Sequence, residues 1–292
     1  MKKPGVIKVE TRKLIIVVTA AVIVLNVFLY LFDVQVTPRW QTQLSVGALT
    51  EKVAPASGYS VDIKWGDVGQ KLVEAGAIDL EQYQQIYPDV SYLTQSKSEG
   101  ITLNKDTAYF WVNTLWALGL TQKSDVLEKG VMMTQYGDDL GNFASTAGWT
   151  LGSKDALELY SSAEIIPLSA EQQAKVAEIA SNIYRPCCGN SAAFPDCNHG
   201  MAILGLVELM VSQGFSEEEI YKAALVFNSY WFVDTYVDLA YYFQTVEGIR
   251  WSKVDPKEVL SDKYSSASGY GAIKQIIGNI PGAPVQGASC GA

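Results

Sequence analysis

An uncharged apolar run near the N-terminus constrains this chain more than any other feature. Residues 14–32, LIIVVTAAVIVLNVFLYLF, contain no charged side chain and one strongly polar one, Asn26. At about 1.5 Å of rise per residue, a helix of this length nearly crosses a hydrocarbon core of about 30 Å. A helix is also the one single-segment structure that satisfies its own backbone in lipid. The run therefore predicts a single N-terminal transmembrane helix over 14–32.

A cleaved signal peptide and a buried core helix are the alternatives for this run. The apolar part of a signal peptide is shorter, about 7–15 residues, and small residues follow it closely. Here Asp33 and Gln35 follow the run, and the first Ala-x-Ala sequence begins only at Ala54. We therefore expect an uncleaved membrane anchor.

The charge distribution predicts the orientation of this anchor. Residues 1–13 hold five basic side chains and Glu10, a net charge of +4, so the net −9 of the whole chain leaves −13 for the rest. A positive flank stays in the cytoplasm, which places residues 33–292 outside a single-pass cell-membrane protein. An acidic chain lacks the basic footprint of a nucleic-acid-binding protein. The membrane is therefore the one partner that we predict, and a protein or metal-donor partner stays unidentified.

The remainder of the chain divides into three predicted segments. Residues 33–59 contain Gly, Pro, Ser and Thr without a sustained period and predict a stalk. Helical spacing of apolar residues then dominates from 60 to 264, with no strand alternation of comparable length. Residues 265–292 are rich in Gly, Ser and Pro and predict a flexible tail that ends near Cys290. The predicted fold is mainly α, a compact multi-helix extracytoplasmic domain behind one transmembrane helix.

The last third of this domain carries the clearest helix signals. Ser169-x-x-Gln172 and Ser216-x-x-Glu219 are capping-box sequences, and Asp196 can cap a helix between them. We expect helices over 170–184, 197–213 and from 216 to about 245, whereas the Gly-rich residues 130–153 predict an irregular loop, in which a short helical turn is an alternative. Glu208, on the second of these helices, belongs either to its polar face or to the surroundings of a functional site.

Cysteine and histidine are scarce in this chain, and most of them share one segment. Three of the four Cys and the only His lie between 187 and 199, in the sequence CCGNSAAFPDCNH. A single His excludes three-His zinc sites, HExxH proteases and paired ExxH di-iron sites. The segment lies between two predicted helices, so a helix-loop-helix corner can bring its two ends together.

This spacing predicts a metal site with Cys187, Cys188, Cys197 and His199 as ligands. Three Cys and one His form a common zinc set, and thiolates with imidazole also suit copper. Residues two apart on a regular helix do not face the same side, so joint ligation by Cys197 and His199 requires an irregular first turn. Cys290 is a candidate additional ligand or thiol partner.

Two alternatives use the same residues differently. In the first, the chain is a thiol-dependent redox or nucleophilic enzyme, with Cys197 as a thiol of low pKa at a helix N-terminus. In the second, the cysteines form disulfides that stabilise an interaction domain, as an even Cys count outside the cytoplasm favours. The sequence does not decide whether the protein is an enzyme.

Overall fold

The computed structural model of the protein describes residues 17–20 and 45–280. The chain forms two compact units, Met1–Leu44 and Ser45–Ala292. In the first unit the described residues 17–20 are helical. The rest of the predicted span at 14–32, the basic flank and Cys290 lie outside the described residues. Within the described ranges, no helix combines the length and apolarity needed to cross a bilayer.

The second unit is mainly helical, as the sequence predicts. Its helices are α1 (Val46–Val53), α2 (Val68–Glu74), α3 (Leu80–Ile86), α4 (Ser91–Thr94), α5 (Ala108–Thr121), α6 (Asp125–Lys129), α7 (Val131–Tyr136) and α8 (Ala144–Ala147). They continue with α9 (Ala156–Leu159), α10 (Ala170–Ser181), α11 (Asn198–Ser212), α12 (Glu217–Trp231), α13 (Val233–Thr245), α14 (Pro256–Val259), α15 (Asp262–Ser265) and α16 (Ala267–Ile277). Two 3-10 helices cover Gly137–Asn142 and Trp251–Lys253, and strands β1 (Tyr59–Val61) and β2 (Ile101–Leu103) pair antiparallel.

Helices α5 and α11 cross at the centre of this unit. Both are apolar around most of their circumference, and nearly all of their residues are buried. Glycines permit the close approach, because a Cβ built on Gly205 would lie 2.5 Å from the carbonyl oxygen of Leu115, and one on Gly119 would overlap the carbonyl oxygen of Met201. The start of α11 is thereby fixed against the core, and this start carries the cysteine segment.

Substitution of Gly205 by alanine should therefore destabilise the domain. The added methyl group overpacks a rigid backbone contact, and overpacking of this kind costs about 1–3 kcal/mol. Gly271→Ala is the matched control, because a Cβ there meets no atom within 4 Å. Thermal unfolding of the two variants should show a lower Tm for Gly205→Ala alone, and equal Tm values would contradict the crossing.

The folded domain begins earlier than the sequence predicts. Helix α1 lies inside the predicted stalk at 33–59, capped by the Ser45 hydroxyl, which accepts a hydrogen bond from the Ala48 amide. Its Leu49 and Val53 are buried, and the helix packs against α13. Burial of these two apolar side chains stabilises the helix. The glycine and proline residues of 33–59 favour a stalk in the sequence, so the helix is not predicted there.

The predicted flexible tail at 265–292 also begins too early. Helix α16 follows an N-cap at Ser266, and its Tyr270 and Lys274 side chains both donate to the buried carboxylate of Asp238. These bonds hold the helix on α13.

The predicted unbroken helix from 216 to about 245 is divided into two helices, because Phe232 leaves the helical conformation at φ −131° and ψ 52°. The predicted loop at 130–153 contains α7, α8 and one of the 3-10 helices.

Candidate functional site: a cluster of three thiols

A short hairpin-like loop joins α10 to α11 and carries the cysteines. Its two arms meet where Tyr184 pairs with Ser191, and the Ala192 amide donates to the carbonyl oxygen of Ile183 at 2.9 Å. The loop returns to Cys197, which is the N-cap of α11. The predicted helix-loop-helix corner is therefore present, and α11 starts at Asn198.

The corner brings three of the four predicted ligands together. The Sγ atom of Cys197 lies 3.4 Å from that of Cys187 and 4.0 Å from that of Cys188. All three sulfur atoms lie within 4.8 Å of one another, close enough to hold one metal ion. We call these three residues the thiol cluster. Each of them is half-buried.

A fully buried arginine forms the centre of the loop. The Arg185 guanidinium donates from Nε to the Cys197 sulfur at 3.3 Å and from Nη1 to the Asn190 carbonyl oxygen at 2.6 Å. Its Nη2 donates to the Phe194 carbonyl oxygen at 3.3 Å and to the Asp196 carboxylate at 2.5 Å. One side chain thus fixes four points of the loop.

Gly200 makes room for this arginine. A Cβ at position 200 would collide with the Arg185 guanidinium, so any other residue would displace it. The opposite oxygen of Asp196 accepts from the Asn190 side-chain amide at 2.8 Å, which holds the carboxylate in place. The thiol cluster is therefore positioned by a preorganised polar frame.

The surroundings of Cys197 favour its thiolate. Hydrogen bonds from the Cys187 and Cys188 thiols, followed by the charge of Arg185, lower the pKa of Cys197 well below its usual value. The Gly200 amide also donates to this sulfur at 3.4 Å, where the first turn of a helix contributes partial positive charge. Conversely, hydrogen bonds to Cys188 and Cys197 raise the pKa of Cys187. The arrangement therefore favours the thiolate at Cys197 and the protonated thiol at Cys187.

His199 does not join the thiol cluster. Its imidazole is buried against Phe232, at 4.4 Å between ring centroids, and Trp231, at 5.6 Å. Burial lowers the pKa of His199 to about 4, so the ring is neutral near pH 7. Its Nδ1 atom is buried and has no hydrogen-bond partner among the described residues. The sequence correctly identifies the corner, but the i,i+2 spacing directs this side chain into the helical core.

Glu208 lies on the same helix but away from the cluster. It lies nine positions after His199, which corresponds to about 13 Å along a helix. The side chain is fully buried, and among the described residues neither carboxylate oxygen has a hydrogen bond of good geometry. Burial raises the pKa of Glu208 well above its usual value, and the nearby Ser124 hydroxyl offsets this only in part. It belongs neither to a polar face nor to the surroundings of the thiols.

An open cleft of about 560 Å³ lies beside the loop. Its wall includes the rings of Tyr136, Phe143 and Phe194, which pack edge to face at 5.6–6.0 Å between centroids. Asn190 and Asp196 also line it, so the loop that holds the thiols forms one side of the cleft. Sequence reasoning missed both the cleft and Arg185, although an arginine two residues before a Cys-Cys pair is a usable signal.

Comparisons of the chain with protein-family models, with curated proteins and with solved structures find no match.

Proposed function

We propose that the chain is a membrane-anchored extracytoplasmic protein that binds one thiophilic metal ion through Cys187, Cys188 and Cys197. The observation that carries this proposal is the grouping of three sulfur atoms within 4.8 Å. Thiolates select Cu(I), Zn(II) and related soft or borderline ions. The apolar run at 14–32 and its positive flank support the anchor and the orientation.

The number of donors favours Cu(I) over Zn(II) at this cluster. Closed zinc sites have four ligands in tetrahedral geometry, whereas the cluster offers three. A soft thiolate set without a fourth donor suits Cu(I). Zinc would require a further ligand, either His199 after rotation of its imidazole or Cys290. These two residues are therefore the positions that decide between the metals.

The charges around the cluster fit a cation that displaces protons. Metal binding by cysteine releases the thiol proton, and Cys197 already favours the thiolate. The ion pair of the buried Arg185 with Asp196 balances part of the positive charge beside the Cys197 sulfur, which leaves this site less repulsive to a bound cation. The frame around Arg185 also sets the sulfur positions before the metal arrives, which reduces the entropy lost on binding.

Replacement of Cys197 by serine should abolish tight metal binding. The full-length reduced chain, purified in detergent micelles, is titrated with Cu(I) and with Zn(II) against a chromophoric chelator. We expect about one equivalent of Cu(I), and a loss of at least roughly 100-fold in affinity for Cys197→Ser, because removal of one thiolate leaves two donors. Cys290→Ser is the matched control and should bind Cu(I) as the unmodified chain does.

The remaining outcomes separate the alternatives. Tight Zn(II) binding that Cys290→Ser or His199→Ala removes would replace the three-coordinate Cu(I) site by a four-coordinate zinc site. If the non-reduced chain contains no free thiol and binds neither metal after reduction, metal binding is wrong, and a disulfide-stabilised interaction domain takes its place.

A thiol-disulfide exchange enzyme is the second candidate function. The observation that favours it is the 3.4 Å contact between Cys197, whose pKa is lowered, and the Cys187 thiol. The Cys197 thiolate would attack a disulfide of a partner and release one partner thiolate. The Cys187 thiol, after losing its proton, would attack the mixed disulfide, form a Cys187–Cys197 bond and release the second partner thiolate. Rapid reduction of a disulfide-linked fluorogenic peptide, lost in Cys187→Ser, would support this candidate over the first.

A further inference from the structure

The open cleft beside the loop reaches the edge of the thiol cluster. Gly189 and Asn190 line the cleft, and they directly follow Cys188 in the chain. The Cys188 sulfur lies 3.9 Å from the Asn190 carbonyl oxygen. A Cβ built on Gly189 would meet no atom within 4 Å apart from its chain neighbours, so the space beside this exposed glycine is open. A segment of another molecule seated in the cleft would therefore lie next to a residue that carries a cluster sulfur.

Large apolar side chains are exposed along the cleft. Val131 is 46% exposed and Tyr136 43%. The rings of Phe143 and Phe194, which pack edge to face on Tyr136, are partly exposed. Aromatic residues are enriched in the cores of protein–protein interfaces. An open apolar wall of this kind fits a polypeptide better than a small molecule, because small-molecule sites enclose most of the ligand surface.

Two unpaired carboxylates lie beside this wall. The 3-10 helix Gly137–Asn142 joins two of the aromatic residues in the chain and carries Asp138 and Asp139, both exposed. Neither aspartate forms an ion pair with any of the residues that the structure describes. None of the residues that line the cleft is Lys or Arg.

The cations nearest to the cleft in sequence are already paired. Lys129 precedes the cleft residue Val131 by two positions and forms an ion pair with Asp125 at 2.8 Å. The Asp196 carboxylate, which lines the cleft, is paired with the buried Arg185. The two aspartates of the 3-10 helix therefore leave the surroundings of the cleft negative, and a partner with Lys or Arg side chains complements this charge.

We propose that the cleft seats a segment, rich in basic and apolar side chains, of the protein that delivers metal to the thiol cluster or receives it. This inference rests on the proposed metal binding. The apolar side chains of the segment would pack on the aromatic rings, and its cations would pair with Asp138 and Asp139. Complementary charge of this kind speeds the encounter and selects the partner.

Docking in the cleft would place a cysteine of the partner next to Cys188. During delivery, the Cys188 thiol loses its proton and its sulfur forms a bond to Cu(I). The bond between Cu(I) and the partner's cysteine sulfur breaks, and that sulfur takes up a proton. No electron is transferred, so the step requires neither an oxidant nor a reductant.

Fluorescence anisotropy of a metal-free peptide tests the docking step. The probe is a short fluorescein-labelled peptide of alternating Arg and Phe, and its matched control alternates Glu and Phe. Both peptides are titrated with the full-length reduced chain in micelles of an uncharged detergent. At low salt we expect the Arg peptide to bind at least roughly tenfold more tightly than the Glu peptide, with a difference that shrinks as salt is added.

Two pairs of variants locate this binding in the cleft. Tyr136→Ala should weaken binding of the Arg peptide, whereas Tyr109→Ala, at a tyrosine that is 56% exposed and does not line the cleft, should not. Asp138→Asn should weaken it by roughly threefold at low salt, because one exposed ion pair is lost. Asp106→Asn, which removes an exposed carboxylate outside the cleft, should leave it unchanged.

Equal binding of the two peptides, or equal effects within each pair of variants, would overturn the proposal. A dimer of the chain alone that Tyr136→Ala dissociates in sedimentation would assign the cleft to a second copy and overturn it as well. Because the peptide carries no metal, its binding is measured independently of the thiols. Cu(I) binding without peptide docking would overturn this inference alone, whereas docking by a chain that fails the Cu(I) titration would overturn the proposed function and the metal-exchange role of the partner with it.

Discussion

Replacement of Arg185 by methionine should destabilise the domain by about 3 kcal/mol, because loss of one partner leaves a buried ionic network unpaired. The guanidinium is fully buried and serves two carbonyl oxygens, a carboxylate and the Cys197 sulfur. Methionine fills a similar volume but donates no hydrogen bond. Thermal unfolding of the full chain in micelles, followed by near-UV circular dichroism, measures the loss.

Arg185→Lys separates charge from geometry in the same experiment. Lysine keeps the positive charge, but its compact ammonium group cannot reproduce the four directed contacts of a guanidinium. We expect a stability between those of the methionine variant and the unmodified chain, and Cu(I) binding weaker than that of the unmodified chain. A methionine variant as stable as the unmodified chain would show that the loop does not depend on this side chain.

Replacement of Glu208 by glutamine should stabilise the protein, and the gain should grow with pH. The pKa of Glu208 is raised in the folded state, so the folded protein keeps a proton that the unfolded chain loses above its ordinary pKa of 4.5. Stability is therefore lost as pH rises from that value toward the folded pKa, at about 1.4 kcal/mol per pH unit. Glutamine has the shape of the protonated carboxyl group and no proton to lose, so the variant should gain stability over the unmodified chain as pH rises above 4.5, by up to about 1.4 kcal/mol per pH unit.

Glu219→Gln is the control for this prediction, because the pKa of Glu219 is shifted in the opposite direction to that of Glu208. Hydrogen bonds from the Ser216 hydroxyl and amide lower the pKa of Glu219 in the capping box of α12. Its contribution is present above the unfolded pKa and disappears as pH falls. Chemical unfolding at pH 3, 5 and 7 should show a gain that increases from pH 5 to pH 7 for Glu208→Gln. For Glu219→Gln it should show a loss that is nearly the same at pH 5 and pH 7 and that shrinks at pH 3. A pH-independent difference for Glu208→Gln would show that the carboxyl is charged in the folded protein.

The sequence predicts the helical class and the corner because both depend on local signals. Capping at Ser169 and Ser216 is present as predicted, with both capping boxes complete. The scarcity of Cys and His makes their grouping between 187 and 199 visible without a structure. The grouping of Cys187, Cys188 and Cys197 is therefore confirmed as a cluster that can hold a metal.

The other features depend on contacts that are distant in sequence. Helix α16 is held by Asp238, some thirty residues away, and α1 by burial against α13. Rotation of His199 into the core follows from the aromatic pair at 231–232, where α12 and α13 separate. Hydrophobic periodicity does not encode such pairings, because it reports which face of a helix is apolar and not what covers that face.

The sulfur of Cys197 has two structural roles. It is a member of the thiol cluster, and it is also the acceptor that caps α11 through the Gly200 amide. Oxidation or alkylation of this one atom would remove the cap and release the turn in which Gly200 makes room for Arg185. The same first turn of α11 includes Met201, whose carbonyl oxygen lies against Gly119 of α5, so modification of this half-buried residue would loosen a turn that is part of the α5–α11 contact.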